Sequence, residues 1–118
     1  MHFALVHGAY HGAWCWDRLR TELERDGHST SAVDLPSEDP DAGAGQYADL
    51  VVEAIPKGED VVLLGHSLGG LTIPVAASST PTLMTVYLCA LVPVPPFLSR
   101  PRELAGVLEQ LAAEAASR

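Results

Sequence analysis

The sequence predicts an α/β fold, a parallel sheet of about four strands flanked by helices. Three observations carry that reading. Short apolar segments alternate along the chain with segments of helical spacing. The apolar segments are hydrophobic continuously rather than at every second residue, which marks strands covered on both faces. One of them runs directly into Gly65-His66-Ser67-Leu68-Gly69 and then into a helical stretch, a strand–turn–helix unit. At 118 residues the chain suits one domain.

Strands are expected at residues 3–6, 31–34, 60–64 and 83–91, the last of which carries no charge. Residues 13–25 place Trp16, Leu19 and Leu23 on one helical face, with Gly27 as the stop. A second helix is expected at 46–55, where Tyr47, Leu50, Val51 and Ala54 share a face and Pro56 ends the run. The third follows the glycine-rich turn over residues 68–77. Residues 37–45 form a Pro/Gly/Asp-rich loop, and 93–101 a proline-rich linker. Beyond the linker, Leu104, Val107, Leu108 and Leu111 define a last amphipathic helix.

Seven basic and fifteen acidic residues leave a net charge of −8. No basic patch exists to neutralise phosphates, so neither nucleic acid nor an anionic membrane is an expected partner. No apolar run approaches the length that crosses a bilayer. The N-terminus lacks the charged start and long apolar stretch of a secretory signal, so a soluble, cytoplasmic protein is expected. Cys15 and Cys89 are the only cysteines and lack metal-ligand or redox spacing. They read as buried thiols, with a single disulfide as the alternative, and no metal or cofactor is expected.

The turn at residues 65–69 has the chemistry of a nucleophile elbow, G-x-S-x-G between an apolar strand and a helix. So sharp a turn leaves no room for side chains beside the serine, which accounts for Gly65 and Gly69. Ser67 would stand at the strand tip with its hydroxyl exposed and a helix N-terminus behind it. The plainer reading is an ordinary glycine-rich turn between strand and helix.

The first strand ends in His7-Gly8-Ala9-Tyr10-His11-Gly12-Ala13-Trp14. A His-Gly turn at this point is where such folds place the second half of an oxyanion hole. The backbone N–H of Ala9 would then meet that of Leu68, the residue after the nucleophile, and two such donors suit acyl transfer. More plainly, Gly8 and Gly12 let the loop turn and His7 is a hydrogen-bonded structural histidine. His7, Gly8, His11, Gly65, His66 and Gly69 are expected to shape the site. Trp14 and Trp16 read as core or pocket wall, Asp34 as a hydrogen-bond acceptor at a strand end, and Tyr47 as a helix-face contact.

These residues, together with Gly27-His28, Val33-Asp34-Leu35-Pro36 and Gly70, resemble the α/β-hydrolase superfamily in collinear order along essentially the whole chain. The match is similar above all to the branch of methyl-ester esterases and hydroxynitrile lyases. The resemblance implies Ser67 as nucleophile, the N–H groups of Ala9 and Leu68 as oxyanion donors, and a small-molecule ester as substrate. Lyases of the branch place a hydroxyl residue where this chain has Gly8, which favours esterase-like hydrolysis. It also implies a division into residues 1–92, the N-terminal part of the core, and 93–118, a linker and the start of a helical cap.

One departure is large. In this fold the catalytic order is serine, acid, histidine. All five histidines (His2, His7, His11, His28 and His66) precede Ser67, and so does every aspartate. Glu103, Glu109 and Glu114 alone remain as acids, on the expected cap helix. The chain therefore resembles the N-terminal half of such an enzyme, a truncated α/β-hydrolase fold without its acid and base. Loss of the histidine typically costs on the order of a million-fold in turnover. Two further expectations follow. Catalytic substitution by His11 is disfavoured, and an uncharged edge at 82–91 would let a stand-alone chain self-associate. The competing class is a catalytically inactive remnant that binds a small ligand or a partner.

Overall fold

Strands β1 (His2–Val6), β2 (Ser29–Ala32), β3 (Val61–His66) and β4 (Met84–Leu88) form one sheet in the order β2-β1-β3-β4. Every pairing is parallel. The computed structural model describes residues 1–88 and 100–117. The expected strand residues 89–91, Cys89 and most of the linker lie outside the described residues.

Both central strands are buried along their whole length, as their unbroken apolar runs require. Side chains of a strand alternate between faces, and the core divides accordingly. Phe3, Leu5, Val62 and Leu64 face one layer with Trp16, Leu19 and Leu23, while Ala4, Val6, Val61 and Leu63 face the other with Val51, Ile73 and Ala76. Each fully buried Leu or Phe stabilises the fold by about 1.5–3 kcal/mol.

The helix expected at 13–25 divides. Ala13–Trp16 is a 3₁₀ turn, begun where Ala13 N–H donates to Asp34 Oδ1, and α1 follows at Asp17–Arg25. Its end is a Schellman motif: Gly27, at φ 91°, donates to Glu24 O and His28 N–H donates to Leu23 O. Strand β2 lies two residues earlier than expected, because pairing with β1 sets Ser29 to Ala32 opposite His2 to Leu5. Polar residues are accommodated there because the buried His2 ring lies 2.7 Å from Ser29 Oγ and 2.8 Å from Ser31 Oγ. Helix α2 (Ala44–Glu53) also starts two residues early, where Gly43 N–H donates to the Gln46 side chain.

Helix α3 (Gly69–Ala77) follows β3 directly, and α4 (Pro101–Ala116) closes the chain. The resemblance leads α4 to be expected over the acyl pocket. Here its apolar stripe of Ala105, Leu108 and Ala112 joins the Trp16/Leu19/Leu23 layer beside α1. Arg102 reaches Asp26 and Glu22, and His28 Nε2 lies 3.4 Å from Glu109, so a polar rim fixes the same placement. Cys15 is buried in that layer and its thiol is pushed up to about 12 by burial, which leaves it unreactive. Among the described residues no helix is long and apolar enough to cross a membrane.

Burial holds the imidazole of His2 below its ordinary pKa, opposed by Glu59 and reinforced by the N-terminal ammonium. A folded value below the unfolded one means the unfolded chain takes up the proton more readily. The associated stability is complete above ~6.5 and is lost as the pH falls toward the folded value. Thermal unfolding at pH 7.5 and pH 5.5 should therefore show a drop in Tm on acidification that is smaller in His2→Gln.

Candidate active site

At the end of β3 the backbone reverses within a single residue. Ser67 takes φ 53°, a left-handed conformation that L-residues other than Gly, Asn and Asp seldom adopt, and α3 begins two residues later. Such conformations typically cost about 1–3 kcal/mol and persist where the surroundings impose them. The surroundings here are backbone. A Cβ on Gly65 would lie 2.7 Å from Gly69 O, and one on Gly69 would lie 2.5 Å from Val6 O. Ser67 N–H still donates to Leu88 O at 3.3 Å, which extends the β3–β4 ladder into the turn. The Ser67 side chain is exposed, and no described side chain accepts its hydroxyl proton.

The loop after β1 is pressed against this turn. A Cβ on Gly8 would meet Ser67 Cβ at 2.9 Å, His66 O at 2.9 Å and Leu68 N at 3.4 Å. His7 is buried, with Nδ1 2.7 Å from Gly8 O and with Nε2 accepting from Leu35 N–H at 3.0 Å. The Asp34–Ala13 bond is the loop hydrogen bond expected of Asp34, so the segment is fastened at both ends to the chain leaving β2. Between these ends Tyr10 stands at φ 62° and is 99% exposed.

Ala9 and Leu68 line one cavity of about 90 Å³, together with Gly8, Leu35, Tyr47 and Thr72. Among the described residues neither the Ala9 nor the Leu68 N–H donates to a backbone carbonyl. Ser67 stands beside this cavity rather than in its wall. A wider cleft of about 710 Å³ opens from Ala9 over Tyr10, His11, Trp14 and Glu38. The two tryptophans separate as core and wall: Trp16 is fully buried, and Trp14 is half-exposed over the cleft.

Two of the five histidines, His11 and His66, come together. His66 is buried and stacks on His11, ring centroids 5.6 Å apart and planes 18° apart, while His11 also meets Trp14 edge-on. Burial, and then the neighbouring His11, hold His66 below its ordinary pKa. Among the described residues no three His, Cys, Asp or Glu side chains are placed to hold a metal ion.

Sequence reasoning marks Tyr47 as a helix-face contact and gives Leu35 and Thr72 no site role, so none of the three was expected as cavity wall. Tyr47 does both, packing on the second core layer while its hydroxyl donates to Pro36 O at 3.3 Å. A hydroxyl at Thr72, one helical turn past Leu68 and 1% exposed, is the signal that could have marked the wall.

The sequence model of the Alpha/beta hydrolase family matches residues 3–118. Methylesterase 3 of Arabidopsis thaliana is 39% identical over 105 residues, covering 78% of this chain and 40% of that protein. The Alpha-hydroxynitrile lyase of the same plant is 39% identical over 95 residues, covering 72% and 37%. The crystal structure of polyneuridine aldehyde esterase superposes with TM-score 0.64 at 36% identity, covering 91% of this chain and 47% of the other. The chain thus spans less than half the length of these relatives.

Two substitutions test whether backbone contact imposes the turn. Ser67→Gly should be more stable than Ser67→Ala by about 1 kcal/mol in urea unfolding, the reverse of the order at ordinary helical positions. Gly69→Ala should lose about 3 kcal/mol, since the obstacle is the Val6 carbonyl and not a movable side chain.

Proposed function

The chain belongs to the alpha/beta hydrolase family, and from that premise we propose that it carries the nucleophilic half of a carboxylesterase-like active site. Ser67 Oγ attacks the carbonyl carbon of a small ester, giving a tetrahedral adduct. The oxyanion is received by the N–H groups of Ala9 and Leu68. Collapse expels the alcohol and leaves the acyl group on Ser67, which water then removes. One oxyanion donor of this kind is typically worth about 2.7–4 kcal/mol in the transition state. The observation that carries the reading is the left-handed Ser67, exposed at the tip of β3 with two uncommitted backbone donors beside it.

The general base and its acid partner are assigned to polypeptide outside these 118 residues, since none of the five histidines follows Ser67. His11 and His66 stack on each other, which supports a site-shaping role for both. A methyl ester is the substrate class that the methylesterase relative suggests, in the cytoplasm, with no metal or cofactor in the chemistry. Hydrolysis is preferred to carbon–carbon lysis because a side chain at position 8 would collide with Ser67 Cβ.

A fluorophosphonate probe tests the nucleophile in the chain as it stands. Labelling should be slow, confined to Ser67, accelerated by added imidazole as a surrogate base, and absent in Ser67→Ala. Labelling spread over other residues, or unchanged in Ser67→Ala, would contradict the proposal.

A second reading, a binding remnant that self-associates, is favoured by one surface. Leu68, Leu71 and Val75 are exposed along one face of α3, and Tyr87 is exposed on β4, against Gly70. Among the described residues β4 is an edge strand, and with no charge on it to guard that edge two copies could pair there. Size-exclusion chromatography should then show a dimer that Leu71→Glu shifts to monomer, whereas a monomer at all concentrations removes this reading.

A further inference from the structure

We propose that His7 is a positioning residue for the oxyanion cradle: as a neutral imidazole protonated on Nδ1, it holds the Gly8–Ala9 peptide with the Ala9 N–H turned toward the cavity beside Ser67. The proposal rests on the assignment of Ala9 and Ser67 made above, and it goes further by naming the group that sets the direction of the donor.

The tautomer follows from the partners. A backbone N–H can only donate, so the Leu35 N–H at 3.0 Å requires a lone pair on Nε2. The ring is neutral in this arrangement and its one proton sits on Nδ1. That proton faces Gly8 O at 2.7 Å. The same carbonyl also accepts from His11 N–H, at 3.4 Å. Gly8 C=O and Ala9 N–H belong to one peptide unit, which is planar and trans, so fixing the oxygen directs the N–H the opposite way.

The longer His11 bond, at 3.4 Å, is the one other hold on that carbonyl among the described residues. The Ala9 N–H has no backbone acceptor among the described residues, and Gly8 lacks a side chain that could lock its own rotation. His7 is 2% exposed, so water does not compete for either bond. The ring also holds the backbone of Leu35, which lines the same cavity as Ala9, so one side chain bonds two of its lining segments. With both nitrogens engaged, His7 has no lone pair left with which to act as a base.

Two variants separate the ring's two bonds. His7→Asn keeps a donor near the Nδ1 position and loses the acceptor for Leu35. His7→Gln reaches toward Leu35 and loses the donor to Gly8 O. In the intact chain, long-range ¹H–¹⁵N spectra of the His7 ring should show the Nδ1–H tautomer. Residual dipolar couplings should give the Ala9 N–H one orientation in the parent and in His7→Asn, and a different one in His7→Gln. In the imidazole-assisted labelling assay, the maximal rate should fall on the order of 10²-fold in His7→Gln with the probe's half-saturation unchanged, and recover in His7→Asn.

An Nε2–H tautomer, or an Ala9 vector that is the same in all three proteins, overturns the proposal. The spectroscopic results do not depend on Ser67 being reactive. Failure of the nucleophile assignment would appear as an unlabelled parent with these couplings intact, and failure of the His7 assignment as a labelled parent with couplings that ignore the substitution.

Discussion

The contact on which the rest of the structure depends is backbone against backbone, where the end of β1 meets the turn after β3. Gly69 lies so near Val6 O, and Gly8 so near His66 O and Ser67 Cβ, that no side chain fits at either place. This closeness follows from the sheet itself, because β1 and β3 are parallel neighbours paired from His2–Val61 to Val6–Gly65. Neighbouring strands are about 4.8 Å apart, and two chains leaving such strands on the same side must either diverge or touch. Here glycines let them touch. The reward is that the peptide after Gly8 and the peptide after Ser67 line one cavity.

Each layer of the molecule serves that contact. Buried faces of β1 and β3 hold the two strand ends in register, while α1 with α4 on one side and α2 with α3 on the other hold the sheet. His7 and Asp34 then fasten the β1 loop to the chain leaving β2, so the loop cannot swing off the turn. Strain is concentrated at Ser67 and Tyr10, the two non-glycine residues with positive φ among the described residues, and both flank the proposed oxyanion peptide. Among the described residues no side chain accepts a hydrogen bond from Ser67, while the two N–H groups proposed as oxyanion donors belong to residues lining the adjoining cavity.

Much of this was legible in the sequence because it depends on local rules. Continuous apolar runs gave β1 and β3, and the glycines around Ser67 gave the elbow, since steric exclusion in a tight turn leaves a mark one residue wide. Gly27 announced the end of α1 for a similar reason. What escaped was set by partners distant in the chain. The register with β1 moved β2 onto Ser29–Ala32, a polar stretch without the apolar run that marks a buried strand. Asp34, reaching across to Ala13, turned the start of the first helix into a 3₁₀ turn. The dual engagement of His7 needed Leu35, 28 residues away, before its tautomer could be assigned. Helix α4 shows the same limit: of the expected stripe of Leu104, Val107, Leu108 and Leu111, only Leu104 and Leu108 pack inward, because the face beside α1 takes Ala105 and Ala112 and leaves Val107 and Leu111 exposed.

The most direct test of the central claim is a crystal structure of the chain phosphonylated on Ser67. A phosphoryl oxygen is expected about 2.7–3.1 Å from both Ala9 N and Leu68 N, with the Gly8 carbonyl still facing His7 Nδ1. A phosphoryl oxygen turned to solvent, with either N–H engaged elsewhere, would contradict it.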